Sequence, residues 1–199
     1  KVQEVRPMDL TTYNQQFNSF LNVYEKEYGE RIKIIKSRKG NWKYEEHILL
    51  DEVRSKSTLI EVTLPDSFLH KLLKKKQGLT LSDTQLPIVT DLYNFTDHIL
   101  LRPGHHIQPL DLQDLAQLIN NPVAIFKQNK ANVYVLLLDK YIDVPFYDKV
   151  IQAPLIAIIT AYDPSFSKGY YHRLTTTYDL TFLKAILGFI YHDQLLMSD

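Results

Sequence analysis

The sequence predicts an α+β fold, with an N-terminal helix and hairpin region over residues 1–80 followed by a four- to five-stranded antiparallel sheet over 81–199 that carries helices on one face. Three observations carry this. Apolar residues near the N-terminus recur at helical spacing, and after about residue 120 apolar runs rich in β-branched and aromatic residues follow one another as strands do. The chain has 199 residues, 45% hydrophobic and 23% charged, which is enough for a core without disulfides.

Asp9 caps a helix whose apolar positions are Leu10, Tyr13, Phe17, Phe20, Leu21, Tyr24 and Tyr28, and Gly29 is a fitting stop. Arg31–Ser37 and Asn41–Leu50, separated by Arg38, Lys39 and Gly40, read as a basic hairpin, and 57–64 as a further strand. A short helix from Pro65 closes on Lys74–Lys76, where cations suit the negative end of the helix dipole. Residues 82–95 read as a helix and 97–102 as a short strand ending at Pro103–Gly104. Asp111 then caps a helix through Ile119, broken by Asn121–Pro122. Strands follow at 123–127 and 132–139. Pro145 and Pro154 bracket an irregular connection, and the almost wholly apolar 155–162 is a strand buried on both faces. Residues 172–177 form the last strand, after which Asp179 caps a closing helix.

The chain contains no cysteine, which removes thiol nucleophiles, disulfides and cysteine-ligated zinc and points to a reducing, cytoplasmic setting. No membrane span or signal peptide is visible in it. Neutral net charge argues against indiscriminate coating of nucleic acid. It hides an asymmetry: residues 1–80 carry 15 Lys and Arg against 11 Asp and Glu, and residues 81–199 carry 8 against 12. The basic half suits a polyanion, with Lys36, Arg38 and Lys39 as candidate RNA contacts alongside Arg102 of the other half, or it is a plain solvated surface.

Nucleotide-cradling glycine motifs, the serine elbow and the HExxH zinc motif are all missing. The seven histidines show no metal-ligand spacing, so neither metal nor cofactor is expected. The remaining polar residues suit cleavage of RNA by its own 2′-hydroxyl, which needs a base, an acid and cations to steady the phosphorane. Arg102, His105 and His106 end one segment and Lys127 ends another. His172, Arg173, Thr175, Thr176, Thr177 and Tyr178 run along the last strand.

From Asp97 onward the order of motifs resembles the phage-associated nuclease superfamily related to barnase, EndoU, the tRNA-cutting colicins and RelE, in particular the toxin domains of phage MuF-type proteins. The likeness rests on His106-Ile-Gln-Pro-Leu-Asp-Leu leading into Asn120-Asn121-Pro122-Val123-Ala124-Ile125-Phe126-Lys127, and on the strands Val133–Leu138 and Pro154–Thr160. His172-Arg173-Leu174-Thr175-Thr176-Thr177-Tyr178 and the closing Gly188-Phe189-Ile190-Tyr191 complete it. The resemblance nominates His106, Lys127, Thr176 and Tyr178, while His172 stands where Asn is usual. It implies a metal-independent, toxin-like endoribonuclease acting in the cytoplasm of its own or a target cell. RNA, tRNA included, is then the substrate, and a cognate antitoxin or immunity protein the partner. Two alternatives stay open: an inactive interaction module of a phage or mobile element that keeps the fold, and a transferase or nuclease of another fold. The catalytic expectation is that His106, Lys127, His172, Arg173 and Thr176 converge on one concave face, with His172, Leu174 and Thr176 sharing a side by their spacing of two.

Overall fold

The computed structural model describes residues 9–37, 43–56, 58–63, 87–129, 132–161 and 172–179, and the backbone of 194–198. Helix α1 (Leu10–Tyr24) begins where expected: the Asp9 carboxylate accepts a 2.8 Å hydrogen bond from the Thr12 amide. Its buried stripe is Tyr13, Phe17, Leu21 and Tyr24. Gly29 does not stop it. The chain passes through a π-helical turn, Glu25–Gly29, into α2 (Glu30–Ser37), with Tyr28 and Ile32 continuing the buried stripe.

The expected basic hairpin is therefore wrong. Residues 30–37 are helical, and α3 (Lys43–Lys56) follows, burying Leu49, Leu50 and Val53. The β-branched pair Ile34–Ile35 imitates a strand locally, but the three-to-four-residue spacing from Tyr28 through Ile32 to Ile35 gives a buried face only in a helix. Pairs between Arg31 and Glu52, 2.6 Å, and between Lys56 and Glu27, 2.5 Å, join α3 to the end of the first helical run.

Gly29 lies in a helical turn where the nearest atoms to an added Cβ are the far end of the Glu25 side chain, at 2.5 Å. That carboxyl can swing aside. Gly29→Ala is expected to raise stability by up to about 1 kcal/mol through helix propensity. Urea unfolding measures it, and a loss of stability would mean that Glu25 is held in place.

The sheet has seven described strands: β1 (Leu59–Thr63), β2 (Ile88–Asp91), β3 (Ala124–Lys127), β4 (Val133–Phe146), β5 (Lys149–Thr160), β6 (His172–Asp179) and β7 (Gln194–Ser198). Their order is β1-β2-β6-β5-β4-β3-β7. All neighbours are antiparallel except β2 and β6, where Ile88 lies opposite His172. The α+β class holds, with a larger and mixed sheet. The expected boundary at 80–81 falls outside the described residues; β1 and β2, on either side of it, are neighbours in this sheet.

Ile88–Asp91 is strand rather than helix, and 97–102 are not strand. Asp91 caps α4 (Leu92–Asn94), which runs on into a π-helical turn, Phe95–Leu100. Leu92, Phe95, Thr96, Ile99 and Leu100 are all buried, a helical stripe that short-range alternation misreads. Asp111 starts a 3-10 turn, Pro109–Leu112, by accepting from the Gln108 amide, and α5 (Leu115–Asn120) follows. Between Pro145 and Pro154 the chain is a regular hairpin: Pro145 lies opposite Val150, and Pro154 opposite Tyr141. A proline removes one donor, which a strand tolerates where the ladder asks nothing of that nitrogen.

The main core joins Phe17, Leu21 and Tyr24 of α1 to Ile99, Leu136, Leu155, Ala157, Ile159 and Leu174. Val135 and Ile156 form a second cluster on the opposite face of β4 and β5, with Ile158 partly buried against it, so the 155–159 part of the expected 155–162 strand packs on both faces. The helix expected after Asp179 lies outside the described residues.

Candidate active site

The site is built where α2 ends. Lys33 and Lys36 sit on its last turns, and Arg102, Gly104, His105 and His106 lie on the loop after the π-helical turn. Together with Glu46 of α3 and Pro145 of β4, they line a cleft of about 700 Å³. The loop turns at Gly104, φ +84°, a left-handed position suited to glycine, and the His105 amide closes the turn onto the Arg102 carbonyl at 3.1 Å.

Behind the loop ends β6. Asp179, expected to cap a helix, is the last residue of this strand, and its side chain is fully buried. Both of its oxygens are engaged by one residue. Oδ1 accepts from the His106 amide and Oδ2 from His106 Nδ1, each at 2.8 Å. A carboxylate that receives the Nδ1 hydrogen fixes the tautomer and the ring plane, leaving Nε2 as the nitrogen free to accept a proton. The His106 side chain is 32% exposed and lines the cleft.

His105 is fixed similarly. Its Nδ1 donates to the Ile99 carbonyl at 2.9 Å, and its ring stacks on Tyr178 with centroids 5.2 Å apart. Burial pulls its imidazole below the usual range, against the opposing effects of the Ile99 bond and Asp179. Lys36 donates to the Ile107 carbonyl at 2.6 Å. Burial brings its ammonium down to about 8, although Asp179 and Asp111 both favour the charged form. Arg102 donates to His98 Nδ1 at 2.8 Å. Among the described lining residues, Glu46 is the one acid facing these cations.

Of the expected site residues, His106, Tyr178, Lys36 and Arg102 come together here. The expected convergence of the others does not occur. His172 is buried at the start of β6, seven residues from Asp179, or roughly 23 Å along an extended strand. His106 and His172 therefore cannot meet one phosphate, and the paired-histidine arrangement is corrected. Lys127 is on β3, with β5 and β4 between it and β6. Its ammonium donates to the Gln128 carbonyl and lies 5.5 Å from the Tyr134 ring centroid. Arg173 donates to Asn94 Oδ1 at 2.8 Å, while Asn94 Nδ2 donates to the Leu174 and Thr175 carbonyls.

The expected common face fails as well. The register shifts between Ile158 and Ile159, opposite Thr175, so Leu174 and Thr177 are buried while Thr176 is not, and Thr176 Oγ1 donates to the His98 carbonyl. Arg38 and Lys39 lie outside the described residues. The residue sequence reasoning missed is Asp179, whose role depends on a partner 73 positions away.

Among the described residues, no three His, Asp or Glu side chains gather as a metal site, and no helix is long and apolar enough to cross a membrane. The chain matches no protein-family model, no curated protein and no solved structure.

Proposed function

We propose that this cleft is a general acid–base site that cleaves RNA without a metal. The observation that carries the reading is His106, held by the buried Asp179 with Nε2 left as acceptor, in a cleft dominated by Lys33, Lys36 and Arg102. Such a cleft suits an anion, and an imidazole positioned through Nδ1 suits removal of a hydroxyl proton at Nε2. His106 Nε2 takes the 2′-hydroxyl proton. The 2′-oxygen attacks phosphorus, the bond to the 5′-oxygen breaks, and Lys36 gives that leaving oxygen a proton. Arg102 and Lys33 hold the phosphate charge. The products are a 2′,3′-cyclic phosphate and a free 5′-hydroxyl.

RNA fits because it carries its own nucleophile. A toxin role with a cognate inhibitor protein, acting in a cytoplasm, follows the family resemblance of the C-terminal half and belongs to the same proposal.

The test is cleavage of a single-stranded oligoribonucleotide in EDTA beside its fully 2′-deoxy counterpart. The RNA is expected to be cut to cyclic phosphate ends and the deoxy strand left whole. Arrest by EDTA with rescue by Mg²⁺, or equal cutting of both strands, overturns the reading. An intact RNA that nevertheless binds would favour the inactive interaction module.

A further inference from the structure

The β4–β5 hairpin borders the cleft at Pro145. Pro145 is part of the cleft wall, and two residues further on, roughly 7 Å of chain, is the turn at Tyr147. Tyr147 is 93% exposed, and Phe146 meets it edge-on with ring centroids 4.8 Å apart. Val150, 72% exposed, sits opposite Pro145 on the same tip, and Tyr141 further down the hairpin is 60% exposed. The tip exposes apolar side chains on either side of Asp148 and Lys149, while the neighbouring cleft is cationic.

The backbone adds a second observation. Tyr147 has φ +57°, a left-handed conformation that glycine or asparagine adopts with less strain. A bulky aromatic stands at an exposed turn whose backbone conformation favours glycine or asparagine. Backbone strain of this kind gathers at functional positions.

We propose that the Phe146–Tyr147 tip is a stacking platform for an unpaired base of the nucleic acid whose phosphate occupies the cleft, so that the substrate is single-stranded or looped RNA rather than a duplex. The inference rests on the acid–base reading of the cleft. It names the occupant by complementarity: cations for the backbone in the cleft, an aromatic face for the base beside it. Unpaired bases are taken up by stacking on exposed aromatic rings, whereas the bases of a duplex already stack on one another. The tip's own charges, Asp148 and Lys149, offset each other. Attraction there depends on stacking, and the charge comes from the cleft.

The test is fluorescence anisotropy with an uncleavable 2′-O-methyl oligonucleotide, single-stranded and as its duplex, against wild type, Tyr147→Gly and Tyr147→Phe. Tyr147→Gly is expected to weaken single-strand binding roughly 5- to 150-fold. Tyr147→Phe should keep that affinity, and neither variant should move duplex binding. Thermal unfolding of Tyr147→Gly should occur no lower than in wild type, since glycine relieves the left-handed position. Unchanged single-strand binding by Tyr147→Gly overturns the platform, as does an equal loss on duplex, or a wild type that binds no single strand. A change from dimer to monomer in Tyr147→Gly without loss of RNA affinity also overturns it, by assigning the tip to a second copy. Cleavage of RNA together with unchanged Tyr147→Gly affinity removes the platform and leaves the cleft standing. Tyr147-dependent binding without cleavage does the reverse.

Discussion

Replacing Asp179 with Asn is expected to lower kcat/KM for RNA cleavage about 10²- to 10⁴-fold, mostly through kcat. The wild-type carboxylate offers two acceptors to two donors, the His106 amide and His106 Nδ1–H. Asn offers one oxygen and one NH₂. Either a donor then faces a donor, or the imidazole changes tautomer, taking its hydrogen to Nε2 and losing the base that points to substrate. The first outcome leaves a buried group unpaired and costs about 1–3 kcal/mol of stability; the second costs activity. His106→Gln should lose as much activity, and the double variant little more, since the two residues act as one unit. Measured kcat and KM for the three variants, with thermal unfolding alongside, decide the matter. A decline confined to KM, or one under about threefold, would remove the His106–Asp179 pair from the chemistry.

The sequence announces those parts of the fold whose signal is local. Asp9 with the stripe Tyr13, Phe17, Leu21 and Tyr24 can be read without any tertiary information, and so can the double-sided apolar run 155–159. Where a segment is short, local signals conflict. Ile34–Ile35 favours strand by type while Ile32 and Ile35 favour helix by spacing, and burial of Ile32 in the main core, with Ile35 packed against it, settles it. Gly29 reads as a stop because glycine usually costs a helix stability, yet the hydrophobic stripe on both sides carries the helix through it.

The site divides along the same line. His106 is legible from its chemistry, and Arg102 from its place beside it. Period-two reasoning placed His172 and Thr176 on one side, but it registers neither the extra residue at Thr175 nor the two strands between Lys127 and β6. Asp179 carries no local mark at all, because a carboxylate at a strand end reads as a helix cap until the loop from residue 105 lies against it. Lys36 is the instructive case. Read as hairpin, it becomes an exposed contact for RNA capture; as the last turn of α2, it is half-buried in the cleft.

That placement gives the other large effect. Lys36→Met is expected to lower kcat/KM about 10²- to 10³-fold, because it removes both the proton donor and a charge at the phosphate. Lys36→Arg separates the two roles: a guanidinium keeps the charge but does not release a proton in the working range, so KM should recover while kcat does not. In wild type, activity should fall as pH rises through about 8, where Lys36 loses its proton, and this limb should vanish in Lys36→Met. Stability gives an independent check. The folded-state value of about 8 lies below the ordinary 10.5, so the unfolded chain binds that proton more tightly. Burial of the charged ammonium therefore opposes folding most fully below pH 8, and the opposition fades between 8 and 10.5. Lys36→Met removes it, so the variant should compare better with wild type at pH 7 than at pH 10 in urea unfolding. The opposite ordering, or a wild-type alkaline limb that survives in Lys36→Met, would show that Lys36 is not the group that titrates in the cleft.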